Sequence, residues 1–315
     1  MFIPLALLLV NFFGFTYAHY AKPLRAARTP YVRAEPAGPL LPAYRDYLQS
    51  LLTRDLSMRL NLPGNSRSAP AQFGETLVTA TQASFGLLLI ALTLSGFFGV
   101  LLGLAAVRTD PPGVARWLTG ISAVGLAMPS FYIGSLFIIV SVYFLITGGP
   151  DSELLLPLSG FGWDKHLVLP VLALMARPTV QLAQVIASLL SAELSKQYVV
   201  AARAFGNPWR VVRNHHALRN ALPAILLTFA GLLRLVMGEL VLVEWLFRWN
   251  GLGRLLAWTL VPAQLTNSSG SPLFLNPPVV AAVLTIIAAL FLLADFVAAV
   301  LVRRFDPRLR EGNHA

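Results

Sequence analysis

Residues 76–107 read TLVTATQASFGLLLIALTLSGFFGVLLGLAAV, and no charged side chain occurs between Glu75 and Arg108. A helix needs about 20 apolar residues to cross the hydrocarbon core of a bilayer, so this stretch is long enough to span one. Other runs with few or no charges cover residues 1–21, 117–150, 167–190, 221–247 and 279–302. The sequence therefore predicts an all-α membrane protein with about six transmembrane helices.

The composition agrees with a membrane protein. Of the 315 residues 56% are hydrophobic and only 12% are charged, and the mean hydropathy is +0.68, whereas a soluble domain carries about 25% charged residues. The absence of cysteine excludes disulfides and thiolate metal sites. The net charge of +10 lies mostly in the connecting segments, and no nucleic-acid-binding module accompanies it, so we expect no nucleic-acid partner.

The basic residues predict that both ends are cytoplasmic. With that orientation, the inner segments 108–116, 191–220 and 303–315 hold eleven Lys and Arg residues, whereas the two short outer loops hold three. This asymmetry follows the positive-inside rule. The first outer segment, residues 22–73, carries eight basic residues and opposes the assignment, but at about 50 residues it approaches the length at which the rule weakens.

Three parts of the chain follow from these runs. Residues 1–73 comprise the first transmembrane helix and a small external segment, with a short helix pair expected at 44–62. Residues 74–302 form the transmembrane bundle, and residues 303–315 form a cytoplasmic tail. Residues 1–18 also fit a cleavable signal peptide, although no positive residue precedes their apolar run.

The inner segment 191–220 contains a distinctive stretch, because residues 198–206 read Tyr-Val-Val-Ala-Ala-Arg-Ala-Phe-Gly. Four positions recur at helical spacing and predict one apolar stripe: Leu194, Tyr198, Ala201 or Ala202, and Phe205. The alanines carry little bulk, so a partner backbone can approach closely. From the residues alone, the stretch is either a protruding element that another protein binds or an ordinary basic loop between two membrane helices.

The end of this stretch carries helix-termination signals. We expect Gly206 to adopt the left-handed conformation just past a helix end, where other residues are strained. Asn207 is expected to cap the next helix, and Pro208 suits the first position of that helix because its missing N–H has no partner there. The pattern therefore predicts a short helix, a break and a second helix that enters the bilayer.

The same stretch resembles the cytoplasmic EAA loop of ABC-importer permeases, in the branch that imports dipeptides, oligopeptides or nickel. That loop reads roughly Tyr-Val-x-x-Ala-Arg-Ala-x-Gly and continues as His-Ala-Leu-Arg-Asn-Ala-Leu, which matches residues 216–222 here. Further matches are Met128-Pro129-Ser130-Phe131, the segment 166–170, Glu244 to Phe247, Gly251 to Arg254, and Asp306-Pro307-Arg308. The resemblance covers roughly residues 74–310, with the motifs in order.

The chain departs from the family pattern at a few positions. Val200 stands where the loop's eponymous Glu would be, Phe205 replaces a usual Lys, and Asn250 replaces the Pro of Trp-Pro-Gly. The outer loop 265–278 is longer than the family's.

The resemblance implies a type-1 permease bundle in the plasma (inner) membrane. Its implied partners are a second permease subunit, two ATP-binding subunits that use ATP, and an extracytoplasmic solute-binding protein. Its implied mechanism is alternating access, and its implied substrate is a peptide, nickel or another small solute. The residues expected to contact the ATPase are Tyr198, Ala201, Ala202, Arg203, Ala204 and Gly206.

No catalytic or metal site is expected in the chain itself. None of the three lysines follows a glycine, so the phosphate-binding Gly-Lys loop of an ATPase is absent, and there is no His-Glu-x-x-His pair. We expect His215 and His216 to have an interfacial role. A secondary transporter remains an alternative, although it would tend to show inverted repeats; an intramembrane hydrolase would need a mid-span histidine beside a serine.

Ionisable residues within the apolar runs are candidates for the translocation path, because such residues face a bundle interior or cavity. The set is Arg177, Arg234, Glu239, Glu244 and Asp295, together with Pro129 and Ser130 of the third run. Arg234 and Glu239 lie five positions apart, about 140° around a helix, so they are not an i,i+4 pair. A polar path and packing against the partner permease both remain open, whereas for Asp295 we expect a structural ion pair.

Small and cyclic residues predict where helices approach or break. Gly99 and Gly103 form a Gly-x-x-x-Gly pattern that permits close helix packing. Pro129, Pro170 and Pro223 are expected to begin or bend helices, and irregular backbone at membrane depth usually lines a cavity.

Overall fold

The computed structural model describes residues 2–26, 37–53, 59–60, 71–148, 154, 156–260 and 275–305. Within them the helices are α1 (Phe2–Ala26), α2 (Leu40–Leu52), α3 (Phe73–Ala106), α4 (Arg116–Ala127), α5 (Ser130–Thr147), α6 (Val168–Leu194), α7 (Gln197–Ala204), α8 (Trp209–Val211), α9 (Leu218–Leu246), α10 (Leu252–Leu260) and α11 (Pro277–Phe305). A 3₁₀ turn, Lys165–Leu167, precedes α6, and a π-helical turn, Val212–Ala217, joins α8 to α9.

Two short antiparallel hairpins accompany the helices. Strands β1 (Arg59–Leu60) and β2 (Ala71–Gln72) pair before α3, and β3 (Val107–Thr109) pairs with β4 (Pro112–Val114) between α3 and α4. The expected helix pair at 44–62 is therefore wrong in its second half. Only α2 forms there, and Arg59–Leu60 is extended because it pairs with Ala71–Gln72; residues 54–58 and 61–62 lie outside the described residues.

Six helices are long and apolar enough to cross a membrane, which confirms the predicted number for the described part of the chain. Their bounds are Ile3–Leu24, Phe73–Ala106, Ser130–Thr147, Lys165–Leu194, Trp209–Leu246 and Pro277–Val300. The expected tail at 303–315 is described only to Phe305. The segment 265–278, expected to be a longer outer loop, is described only from Leu275 onward.

The third apolar run is not one helix. It divides into α4 and α5 at Met128 and Pro129, whose backbones are extended with ψ angles of 118° and 154°. The ring of Pro129 disfavours a helical conformation for the residue before it, and Pro129 has no N–H to donate to the preceding turn. This confirms that Pro129 begins a helix, and α5 alone is the span of this run.

By packing, the chain divides into two compact units, residues 1–86 with 248–292 and residues 87–247 with 293–315. In the first unit, a buried amide joins α1, α2 and α11. Asn11 Nδ2 donates to the Tyr47 hydroxyl at 3.1 Å and to Thr285 Oγ1 at 2.9 Å, and the Tyr44 hydroxyl donates to Asn11 Oδ1 at 3.1 Å. Because both ends of the amide are paired, α2 is fixed against the first span.

The segment before α10 is anchored in the same unit. Trp249 is fully buried and its Nε1 donates to Ala83 O at 3.0 Å, while the Leu252 N–H donates to Ser84 Oγ at 2.8 Å. Asn250, which departs from the family's proline, accepts a hydrogen bond from Arg254 Nη1 at 2.5 Å. The substitution therefore has a structural role in holding this turn.

The second unit is built around α6, which packs against α4, α5 and α9. Leu174, Ile186 and Leu190 of α6 are fully buried. The glycines of α3 allow this helix to approach α6 closely. A Cβ at Gly99 would lie 2.9 Å from Leu182, and one at Gly103 would lie 2.8 Å from Ile186. The close approach expected from Gly-x-x-x-Gly is confirmed.

The close contact between α3 and α6 limits the size of the side chain at position 103. Gly103→Ala should destabilise the protein by about 1–3 kcal/mol through overpacking, because the new methyl group would also meet the Ala183 carbonyl at 3.0 Å. The measurement is the apparent melting temperature of the purified protein. Gly120→Ala in α4 is the matched control, since nothing lies within 4 Å of its Cβ. An equal effect of the two substitutions would contradict the packing argument.

Candidate functional sites: the coupling loop and the intramembrane charges

The segment 191–220, here termed the coupling loop after the role that the resemblance implies, folds as a helix, a sharp turn and a second helix. α6 ends at Leu194, Lys196 is extended before α7, and Gly206 has a φ angle of +83° after it. The Gly206 N–H donates to Arg203 O at 2.9 Å and the Asn207 N–H donates to Ala202 O at 3.2 Å. This pair of bonds is a Schellman closure, so the left-handed conformation expected of Gly206 is confirmed.

The roles expected of the next two residues are wrong. The Asn207 side chain does not cap α8; its Nδ2 donates back to Ala202 O at 3.1 Å and closes the end of α7. Pro208 occupies the N-cap position of α8, with a ψ angle of 152°, rather than the first helical position. The last carbonyls of α7 have no partner within the helix, and the Asn207 Nδ2 donates to one of them, Ala202 O.

The apolar stripe expected along this segment is also divided. Leu194 is buried at the end of α6, and the chain bends at Ser195 and Lys196 before α7 begins, so the helical spacing is interrupted. Phe205 is 87% exposed and does not join the buried cluster that contains Leu194. α7 therefore presents one face to the protein and another to its surroundings.

The placement of the expected contact residues follows from these two faces. Val199 is buried, and Tyr198 and Ala202 pack partly buried against the same core. The outer face is formed by Val200, Ala201, Arg203, Ala204, Phe205 and Gly206. Four of the six residues expected to contact an ATPase thus lie on the exposed side, whereas Tyr198 and Ala202 also support the loop from beneath.

Tyr198 and Arg203 brace the loop through polar contacts. Burial, the largest cause, raises the pKa of Tyr198, so its hydroxyl remains protonated and donates to Glu193 Oε2 at 2.9 Å. Arg203 Nη1 donates to Asn207 O at 2.7 Å, and its guanidinium lies over the Trp209 ring at 4.6 Å. The first contact ties α7 to the end of α6, and the stacking of Arg203 on Trp209 ties it to α8.

A recess lies beside α7, and no sequence pattern predicted it. Its volume is about 480 Å³, and Pro112 of the β3–β4 hairpin forms one wall. The remaining lining comes from Leu194, Ser195, Val199, Val200, Arg203 and Trp209. The wall is mostly apolar, with the Arg203 guanidinium as its charged group.

Three of the candidate path residues meet at one carboxylate. Glu239 of α9 accepts from Arg177 Nη1 of α6 at 2.6 Å, and from the Ser130 N–H at 3.2 Å. The Ser130 hydroxyl donates to the same Glu239 oxygen as its N–H. The Glu239 side chain is only 14% exposed, so it does not form part of an outer face. The cluster ties α5, α6 and α9 together.

The other intramembrane charges are placed differently. Arg234 of α9 pairs with Asp295 of α11, and the two side chains are 60% and 47% exposed. The structural ion pair expected for Asp295 is confirmed, with a partner that the sequence did not identify. Glu244 is fully buried near the end of α9.

Among the described residues, no group of three or more His, Asp or Glu side chains is arranged to hold a metal ion. His215 and His216 lie exposed in the π-helical turn, with ring centroids 5.3 Å apart.

Comparison with known proteins identifies the family. The profile of the binding-protein-dependent transport system inner membrane components matches residues 95–311. The dipeptide transport system permease protein of Lactococcus lactis is 29% identical over 221 residues, which are 70% of this chain and 66% of that protein. The metal-staphylopine import system permease protein of Staphylococcus aureus is 27% identical over 87% of this chain and 79% of its own length.

A third relative, the di/tripeptide transport system permease protein of Pseudomonas aeruginosa, is 28% identical over 86% of this chain and 81% of its own length. The family profile covers more than half of the chain, and six helices suit a bilayer. The chain therefore belongs to the family of binding-protein-dependent transport system inner membrane components, and it is a multi-pass permease of the inner membrane.

Proposed function

We propose that the chain forms half of the translocation path of an ATP-driven importer and couples to ATPase subunits through α7. The observation that carries the proposal is the exposed apolar surface of α7, where Val200 and Phe205 are 69% and 87% exposed. Apolar surface in a segment rich in arginine, outside the spans, is typical of a protein interface. The Schellman closure at Gly206 presents that surface in a fixed shape, which lowers the entropic cost of binding.

The recess beside α7 supports the same partner. Its volume of about 480 Å³ is in the range of sites that enclose a bound group. Its apolar wall suits an aromatic or branched side chain of the partner, and Arg203 suits an acidic group beside it. The proposed contact is therefore two-sided: Phe205 projects into the ATPase, and an ATPase side chain enters the recess.

The energy source lies in the partners. None of the three lysines of this chain follows a glycine, so it lacks the loop that cradles phosphates in ATPases. In the proposed assembly two ATP-binding subunits hydrolyse ATP, a second permease subunit completes the path, and an extracytoplasmic solute-binding protein delivers the substrate. This chain itself carries no cofactor.

The exposed ion pair supports a second permease subunit. Arg234 and Asp295 lie on helices that are otherwise apolar, yet 60% and 47% of their side chains are exposed within this chain. Charges facing lipid are costly, so protein or an enclosed aqueous path must cover the pair. We assign this cover to the second permease subunit.

The proposed substrate is a peptide. The relatives from Lactococcus and Pseudomonas carry names for dipeptide and di/tripeptide transport. A metal chelate is the second candidate, because the Staphylococcus relative is named for metal–staphylopine import.

Reconstitution in lipid vesicles tests the proposal. The permease pair, both ATPases and the solute-binding protein should together take up labelled dipeptides only when ATP is supplied. Uptake by the permeases alone, driven by a proton gradient, would instead support a secondary transporter. Peptide hydrolysis without uptake would support an intramembrane hydrolase.

Cysteine labelling should establish the proposed orientation. The chain has no native cysteine, so Arg210→Cys in the coupling loop and Leu52→Cys in the first outer segment each introduce a single reporter. In intact cells an impermeant maleimide should label position 52 and leave position 210 unlabelled until the cells are opened. Labelling of position 210 from outside intact cells would show that the topology is the opposite of the one proposed.

Phe205→Ala should weaken binding of the ATPase subunits without disturbing the permease fold. The side chain is 87% exposed, so its removal costs little internal packing, while loss of a buried anchor residue weakens binding by about 2 kcal/mol or more. Co-purification of the ATPases and substrate-stimulated ATP hydrolysis are the readouts. Leu52→Ala, at a side chain 84% exposed outside the coupling loop, is the matched control and should retain both. If the Phe205 variant co-purifies with the ATPase subunits as well as the wild type does, α7 is not the docking element.

Replacing both members of the exposed ion pair should impair permease assembly. If the pair faced lipid, Arg234→Leu with Asp295→Leu would be neutral or stabilising. If a polar partner covers it, the double variant leaves partner groups unpaired and should weaken assembly by about 2 kcal/mol. The measurement is the yield of the permease pair in detergent, with Ile139→Ala at an exposed α5 position as the control. Unchanged yield and uptake would place the pair outside the interface.

A further inference from the structure

The break between α4 and α5 leaves the first N–H groups of α5 without partners in their own helix. The N-cap residue, Pro129, supplies no side-chain hydrogen bond. Instead, the Glu239 carboxylate of α9 accepts from both the N–H and the hydroxyl of Ser130. A residue 109 positions away in the chain thus does what an N-cap residue normally does locally, and its negative charge suits the positive end of the α5 dipole.

The same carboxylate also holds α6. Arg177 Nη1 lies 2.6 Å from Glu239 Oε1, and Arg177 directly precedes Pro178. The proline cannot donate to the carbonyl four residues earlier, so α6 lacks one backbone bond at this level. Buried Arg177 Nε has no hydrogen-bond partner within the described part of the chain.

Both halves of the broken helix pack against α6, and α5 also packs against α9. α4 lies on α6, where Ser122 Oγ donates to Gln184 Oε1 at 3.0 Å and a Cβ at Gly125 would lie 3.3 Å from Val180. α5 meets the end of α9 still more closely, because a Cβ at Gly134 would lie 2.9 Å from both Leu246 and Phe247. The break therefore separates α4, which packs on α6, from α5, which also contacts the end of α9 closely.

The continuity of α9 links this cluster to the coupling loop. α9 follows the π-helical turn Val212–Ala217 without a break in helical structure, and Glu239 lies about 30 Å along the axis from its start. A displacement of α7 by an ATPase would therefore reach the Glu239 carboxylate along one continuous helix, which carries Pro223 in its second turn.

We propose that Glu239 is a positioning residue that makes α5 move with α9, so that movement of the coupling loop bends the chain at Met128 and Pro129. This inference rests on the proposed function, because it takes the coupling loop as the point where ATP-driven movement enters. The Ser130–Glu239 contact carries the movement to α5, and the Arg177–Glu239 contact sets the resting position of α9 against α6. Buried ion pairs suit such a role, since they specify an arrangement more than they add stability.

A charge swap separates this role from simple stabilisation. In Arg177→Glu with Glu239→Arg, an ion pair between α6 and α9 can form again, but the new guanidinium cannot accept from the Ser130 N–H and lies at the positive end of α5. If Glu239 serves only to pair with Arg177, the swap recovers melting temperature and transport together. The proposal expects the swap to recover melting temperature alone, with uptake per ATP hydrolysed about tenfold below wild type.

The assembled importer in vesicles supplies the readouts, with uptake and hydrolysis measured on the same preparation. Glu239→Gln should lower the ratio of uptake to hydrolysis by about tenfold, and the conservative Glu239→Asp should restore part of it, because a carboxylate again faces α5. Gln184→Ala is the matched control, since it removes an α4–α6 contact on the other side of the break. An unchanged ratio for Glu239→Gln, or full recovery of uptake by the swap, would overturn the proposal.

Distance measurements give an independent test that does not depend on rates. Spin labels at Ile146→Cys and Leu242→Cys, exposed on α5 and α9, should keep their separation when ATP and vanadate are added, while labels at Ile121→Cys and Ile146→Cys, across the break, should change theirs. In the Glu239→Gln variant, the separation between the labels at positions 146 and 242 should change when ATP and vanadate are added. A wild-type α5–α9 separation that changes would refute the linkage, whereas a wild type that shows no ATP-dependent uptake would refute the proposed function instead.

Discussion

A bilayer offers no hydrogen bonds to the backbone, and this constraint governs the whole structure. Each span is a helix because a helix satisfies its own N–H and C=O groups. The places where helices stop are therefore informative, and at two of them within the described residues a side chain from elsewhere supplies a partner. Glu239 accepts from the start of α5, and Ser84 Oγ accepts from the Leu252 N–H at the start of α10. The closure at Gly206 completes the end of α7 outside the spans.

The same constraint decides where charges lie. Two intramembrane ion pairs, Arg177–Glu239 and Arg234–Asp295, occur among the described residues, and they differ in exposure. The first is largely enclosed by α5, α6 and α9, so it organises this chain internally. The second opens to the outside of this chain, which suits a surface that a partner completes. The two ion pairs thus have different consequences, which depend on the helix faces that carry them.

Outside the spans, the coupling loop shows how a small surface is made rigid. Its α7 is only eight residues long, too short to be stable alone. The buried Val199, the Tyr198–Glu193 hydrogen bond and the Arg203–Trp209 stacking hold it from one side. The other side is left with small residues and the exposed Phe205. Rigidity on one face and apolar exposure on the other are the requirements for a docking element.

The amino-acid sequence alone predicted the class of structure, because span length and the scarcity of charge are local properties that decide whether a segment suits a bilayer. It also determined the turn at Gly206 and the start of a helix near Pro129, since backbone preferences of glycine and proline act within one or two residues. It could not predict that Asn207 closes the preceding helix rather than capping the following one, because its amide can donate to one helix end or accept from the other, and the geometry of the folded turn decides.

The pairing of the intramembrane charges depends on the packing of the helices. Arg234 lies five positions from Glu239 in the chain, yet it pairs with Asp295, 61 positions away, while Glu239 pairs with Arg177, 62 positions away. Sequence spacing fixes which face of a helix a residue occupies, but the neighbour across that face depends on how the helices pack. The recess beside α7 has the same origin, since its walls come from a hairpin and three helical segments that meet only in the folded chain.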